Sequence, residues 1–87
     1  MLRITRSIKA GTVWLILEGK LAADWVEECR SACALEKARG HTPALDLSEV
    51  TFVDREGVQL LLQLAREGLS FPLTSNFVTE LLRREQP

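Results

Sequence analysis

The residues best placed to do chemistry run from position 54 to position 57, where Asp54-Arg55-Glu56-Gly57 opens a predicted helix. A carboxylate just before a helix can accept a hydrogen bond from a free backbone N–H of the first turn. Asp54 therefore reads first as a helix cap and only second as a reactive acid. Glu56 puts a negative charge into the first turn, worth about 0.3 to 1 kcal/mol against the helix dipole. Gly57 either leaves room for the close approach of a loop or partner, or is simply a small residue that packs. The lone histidine, His41, lies in a turn between Gly40 and Pro43 and reads as a solvated turn residue rather than a general base. Cys29 and Cys33 stand four apart with no second pair, a spacing that fits neither a zinc ribbon nor a CxxC redox site. On a helix they share a face, as two small buried hydrophobes would. No nucleophile motif, Gly-rich phosphate loop or metal-ligand cluster occurs. The sequence therefore points to no catalytic residue, no metal and no cofactor.

The elements that must position these residues alternate in type. Residues 2–8 place Leu2, Ile4 and Ile8 on one face of a strand, and Lys9-Ala10-Gly11 makes a turn. Residues 12–18 are apolar on both faces, as an inner strand should be. A helix is predicted from about Ala22 to Arg39, with Ala22, Trp25, Val26, Cys29 and Cys33 as its apolar stripe. Gly40 ends it and Pro43 follows. Ala44-Leu45-Asp46-Leu47 is a short strand, and Ser48 to Val53 carries the chain to Asp54. The second helix runs from about Arg55 to Glu67 and is closed by Gly68. Residues 69–73 form a last short strand, which Pro72 confines to a sheet edge. Asn76 to Arg84 is a third helix with Phe77, Val78, Leu81 and Leu82 inward, and Thr74, Ser75 and Asn76 all offer caps. The order is β-β-α-β-α-β-α. The expected fold is α/β, a small mixed and mostly parallel four-stranded sheet with helices packed on it and a hairpin at its start.

On the second helix, Val58, Leu61, Leu62 and Ala65 form the expected core stripe, and Glu56, Gln59, Gln63, Arg66 and Glu67 the wet side. Leu60 and Leu64 fit neither group cleanly. Leu60 lies one turn beyond Glu56 and faces the same way. It is either an exposed anchor for a partner or a further core residue. Leu64 lies nearer the core.

The totals narrow the function class. The chain has 87 residues, enough for one domain, 1–87. Hydrophobic residues make up 46% and charged residues 26%, with a net charge of -1, and no basic stripe marks a nucleic-acid binder. No apolar run approaches the roughly 18 to 20 residues of a membrane span, and the N-terminus lacks a signal-peptide core. The cytoplasm is the expected location. The N-terminal strand and the Pro72 strand leave sheet edges, which permits weak self-association.

The segment from Ala44 to Val58 carries a family resemblance. It resembles the signature of STAS domains: a strand ending in Asp-Leu-Ser (here Asp46-Leu47-Ser48), a short apolar passage, then Asp-Ser-Ser/Thr-Gly opening a helix (here Asp54-Arg55-Glu56-Gly57). The element order matches as well, and Gly19-Lys20-Leu21 stands where the family has its Gly-x-Leu turn. The resemblance implies a regulatory module of the anti-sigma-factor-antagonist type that binds a protein partner. That partner is an anti-sigma-factor kinase or another regulatory or transport protein. Asp54, Arg55, Glu56, Gly57 and Leu60 would then lie at the partner surface. Family members in transporters, lipid-trafficking assemblies or ligand sensing supply the alternatives. Glu56 occupies the phosphoacceptor position and has no hydroxyl, so the usual phosphorylation is impossible there. It supplies about one negative charge where a phosphate supplies roughly 1.5 to 2.

Overall fold

A computed structural model describes residues 1–85. Residues 86 and 87, the end of the expected 1–87 domain, lie outside the described residues. The chain runs β1 (Leu2–Lys9), β2 (Thr12–Leu21), α1 (Asp24–Ala38), β3 (Ala44–Val53), α2 (Arg55–Arg66), β4 (Ser70–Thr74) and α3 (Asn76–Arg84). The strands lie side by side in chain order. β1 and β2 are antiparallel, and the β2–β3 and β3–β4 pairs are parallel. This is the expected small α/β fold with a mixed sheet, and the strand with Pro72 lies at an edge.

The β1–β2 hairpin closes tightly because Lys9 pairs directly with Thr12. Ala10 and Gly11 both take positive φ, 52° and 79°, as a two-residue type I′ turn demands. Both parallel connections step the same way across the sheet, and right-handed crossovers then place α1 and α2 on one face. Leu15, Leu17 and Leu21 of β2 and Leu45, Leu47, Val50 and Val53 of β3 fill that face and are buried. Each such side chain contributes about 1.5 to 3 kcal/mol by leaving water. The opposite face carries a row of paired residues, Thr5, Ile16, Asp46 and Leu73.

β3 is longer than the four residues expected of it. Its buried positions 45, 47, 50 and 53 lose the period of two after Leu47, and its register against β2 shifts twice. A bulged strand of this kind puts extra residues against its partner, so Ser48 to Val53 reads as a connecting passage although it is paired.

The helices correct several expectations about facing. On α2 the buried residues are Gly57, Val58, Leu60, Leu61 and Leu64. Leu62 is half-buried and Ala65 exposed, so the buried arc is turned toward Leu60. The cause is α1, which packs beside α2. Lys37 Nζ donates to Glu67 Oε1 at 2.7 Å and Arg30 Nη1 to Gln63 Oε1 at 3.2 Å, bridging the two helices over Leu60 and Leu64. On α1, Val26, Cys29 and Cys33 are buried as expected, but Trp25 is exposed at the helix start. Ile8 at the hairpin end of β1 and Phe77 in the first turn of α3 are also exposed. α3 buries Val78 and packs mainly on β3. Ser75 is its cap: Ser75 Oγ accepts from the Val78 N–H at 3.2 Å and donates to the Val50 carbonyl at 2.7 Å.

Candidate functional site

The start of α2 lies at the carboxyl end of the parallel strands, where the starts of α1 and α3 also gather. In open α/β sheets this is the end where loops present groups to ligands and partners. Asp54 is extended (φ -83°, ψ -178°), as a cap residue should be. Its two oxygens are divided between two helices. Oδ1 accepts from the Gly57 N–H at 2.8 Å, and Oδ2 accepts from the Ala23 N–H at 2.9 Å. The Ala23 N–H first, and the Gly57 N–H second, hold the Asp54 carboxyl below the usual carboxylate range. Asp54 thereby ties the start of α2 to the start of α1, and its acceptor capacity goes into the fold.

Ala23 pays conformationally for its part in this. It sits at φ 55° and ψ -132° and offers no side-chain cap of its own to α1. This backbone region is close to forbidden for a residue with a Cβ. The turn it makes is closed by the Trp25 N–H donating to the Ala22 carbonyl at 3.1 Å.

Gly57 is needed for close approach, and what approaches is the chain itself. A Cβ there would lie 2.6 Å from the Leu21 carbonyl oxygen and 2.6 Å from Val53 Cγ1. The same Leu21 carbonyl accepts from the Asp54 N–H at 3.2 Å. The end of β2 and the first turn of α2 are thus interlocked.

Arg55 and Glu56, by contrast, are exposed. Among the described residues neither forms a side-chain hydrogen bond or an ion pair. Beside them a groove of about 430 Å³ runs between α2 and α3, lined by Arg55, Val58, Gln59, Leu81 and Glu85. At the same end Phe52 and Phe77 form a tilted pair with ring centroids 6.0 Å apart, and they are 44% and 39% exposed. Trp25 adds a third partly exposed ring at the start of α1.

The structure therefore brings Asp54, Arg55, Glu56 and Gly57 together and separates them by role. Leu60 is corrected: it is 1% exposed and lies in the α1–α2 seam, so it is core and not a surface anchor. Sequence reasoning missed Phe52 and Phe77 as surface groups.

It also missed a buried ionic cluster elsewhere. Glu36 is 2% exposed. Arg6 Nε donates to its Oε2 at 2.7 Å and Arg6 Nη2 to its Oε1 at 3.3 Å. Arg39 Nη1 donates to Oε2 at 3.4 Å, and His41 Nδ1 lies 3.0 Å from Oε1. The bond from Arg6, then that from His41, hold the Glu36 carboxyl down to about 2. His41 is thus a partner of a buried carboxylate and more than a solvated turn residue. The signal was present, because Glu36 continues the 29, 33, 36 stripe of α1.

Among the described residues no three His, Cys, Asp or Glu side chains converge as metal ligands, and no helix is long and apolar enough to cross a membrane. No protein-family model and no curated protein matches the chain.

Proposed function

We propose that the chain is a STAS-type regulatory module of the anti-sigma-factor-antagonist kind, one that acts in the cytoplasm by binding a protein partner and not by catalysis. The observation that carries this proposal is the division of labour at the start of α2. Asp54 and Gly57 are consumed in fixing the helix, while Arg55 and Glu56 remain exposed and unpaired within the described residues. The α2–α3 groove and the Phe52–Phe77 pair flank them. Partly exposed aromatic rings beside a charged pair suit a protein interface, where aromatic and Arg side chains carry much of the affinity. The element order and the Asp54-to-Gly57 motif supply the family part of the proposal.

Glu56 fixes what kind of switch this is. With a carboxylate in place of a hydroxyl, partner release does not run through phosphate at position 56. The partner surface comprises Arg55, Glu56, Phe52 and Phe77, with Asp54 and Gly57 holding it in place.

A tagged pull-down from the source cell, read by mass spectrometry, tests this with Arg55→Glu, Glu56→Arg and Phe77→Asp as parallel baits. A protein retained by the wild type and lost by these variants supports the proposal. Its class separates sigma-factor control from a transporter or lipid-trafficking assembly. A wild-type bait that retains nothing above these variants overturns it, and a small-molecule sensor becomes the better account.

A further inference from the structure

We propose a second, independent docking site: the free edge of β1, which takes up an acidic extended segment of a partner protein as a fifth strand.

The two edges of the sheet are unlike. β4 is five residues long and contains Pro72, which has no N–H to give a ladder. β1 has eight residues, contains no proline and pairs with β2 in unbroken register. Among the described residues nothing pairs with its outer edge. In an antiparallel ladder the hydrogen-bonded pairs alternate, and the Lys9–Thr12 pair closing the hairpin is one of them. The Lys20 N–H donating to the Met1 carbonyl at 2.9 Å extends the same alternation to the other end of the strand. The backbone groups of Leu2, Ile4, Arg6 and Ile8 therefore point outward, free to receive a strand.

Beside this edge lies a groove of about 470 Å³ between β1 and α1, with Ile4, Leu15, Ala32 and Leu35 as its apolar part. An added strand places every second side chain over this groove and the others on the opposite face. Main-chain bonds then give affinity and the groove gives side-chain preference.

Charge selects the occupant. β1 carries Arg3, Arg6 and Lys9 and no acidic residue. Arg6 is neutralised by Glu36 and held in place by it. Arg3 and Lys9 form no ion pair within the described residues, although Glu18 is the register partner of Arg3. A second copy paired along β1 would set this basic strand against itself, and like charges facing each other across strands destabilise the pairing. A segment with acidic residues facing Arg3 and Lys9 and apolar residues over Ile4 and Leu35 is the complement.

The test uses a labelled peptide of alternating valine and threonine, with glutamates spaced to meet Arg3 and Lys9, and the same peptide with lysines instead. Binding is read by fluorescence anisotropy and by amide exchange of the whole chain. The glutamate peptide should bind about tenfold more tightly than the lysine peptide, weaken with salt, and slow exchange at Leu2, Ile4, Arg6 and Ile8. The double variant Arg3→Gln/Lys9→Gln, changed only at exposed positions and setting no like charge against Glu18, should melt as the wild type does and lose its preference for the glutamate peptide. Equal binding of both peptides overturns the proposal, as does protection absent from β1. Protection of β1 that grows with protein concentration and needs no peptide also overturns it, because the occupant would then be a second copy. None of these outcomes depends on the Arg55–Glu56 surface.

Discussion

Gly57→Ala tests the interlock at the start of α2. In an unhindered helix interior this change stabilises, because alanine is favoured over glycine by about 0.8 to 1 kcal/mol. Here the new methyl would stand 2.6 Å from both the Leu21 carbonyl oxygen and Val53 Cγ1, against an ordinary contact of about 3.5 to 4.0 Å. The valine can turn, but the carbonyl is main chain in a paired strand. The helix start must then retreat by close to an ångström, and overpacking of that size costs about 1 to 3 kcal/mol. Retreat also stretches the Gly57 N–H to Asp54 bond, and a lost cap costs about 0.5 to 2 kcal/mol. After subtracting the propensity gain, the net loss is about 0.5 to 4 kcal/mol. For a domain of this size each kcal/mol moves Tm by about 4 to 8 °C, so a fall of at least roughly 2 °C is expected. Circular dichroism melts, with urea unfolding as a check, provide the assay. A Tm equal to or above that of wild type would show that the first turn has room for a methyl, and the account of Gly57 would be wrong.

Three further outcomes follow from the same structure. Leu60→Ala should cost about 2 to 5 kcal/mol in urea unfolding, because a buried leucine leaves a cavity; a loss below half a kcal/mol would return Leu60 to the surface. Ala23→Gly should raise stability by about 0.5 to 1 kcal/mol, since relief of the positive φ exceeds the added chain entropy of glycine; an unchanged or lower Tm would contradict the strained turn. The third concerns acid. Glu36 titrates at about 2 in the fold against an ordinary 4.5, so its contribution is present above about 4.5 and is lost as pH falls toward 2. Asp54 and Glu67 are also lowered and act in the same direction. Glu36→Gln should lower Tm at neutral pH and flatten its fall in acid, and Tm profiles of equal slope for variant and wild type would refute this.

The element order was legible because hydrophobic period and turn residues agree along most of the chain. Gly11, Gly40 and Gly68 mark turns and helix ends, and each takes positive φ in the structure. The far half of β3 was not legible, because its bulges break the alternation on which strand recognition rests. Facing on α2 was misjudged at Leu60 for a different reason. A helix pressed only on a sheet buries one arc, but α2 is also covered by α1, and no periodicity within α2 announces that neighbour. Glu36 shows the converse case. Its position on the α1 stripe was readable, whereas its partner Arg6 comes from a strand 30 residues away, and only the tertiary fold joins them.

The candidate site divides along the same line between what the fold uses and what it leaves over. Changes at Asp54 and Gly57 act on the frame, so they move Tm and recognition together. Arg55 and Glu56 make no contact that the fold depends on, and exposed substitutions of this kind usually stay within about 0.5 kcal/mol. Arg55→Glu should therefore melt as the wild type does, and Glu56→Arg should lose only the charge contribution in the first turn of α2, about 0.3 to 1 kcal/mol for each unit of charge changed. A partner lost by Arg55→Glu at unchanged Tm is lost through recognition alone. A Tm that falls with Arg55→Glu, or that falls with Glu56→Arg by more than this charge contribution, would place the residue in the frame after all, and the surface would shrink to the Phe52–Phe77 pair and the groove beside it.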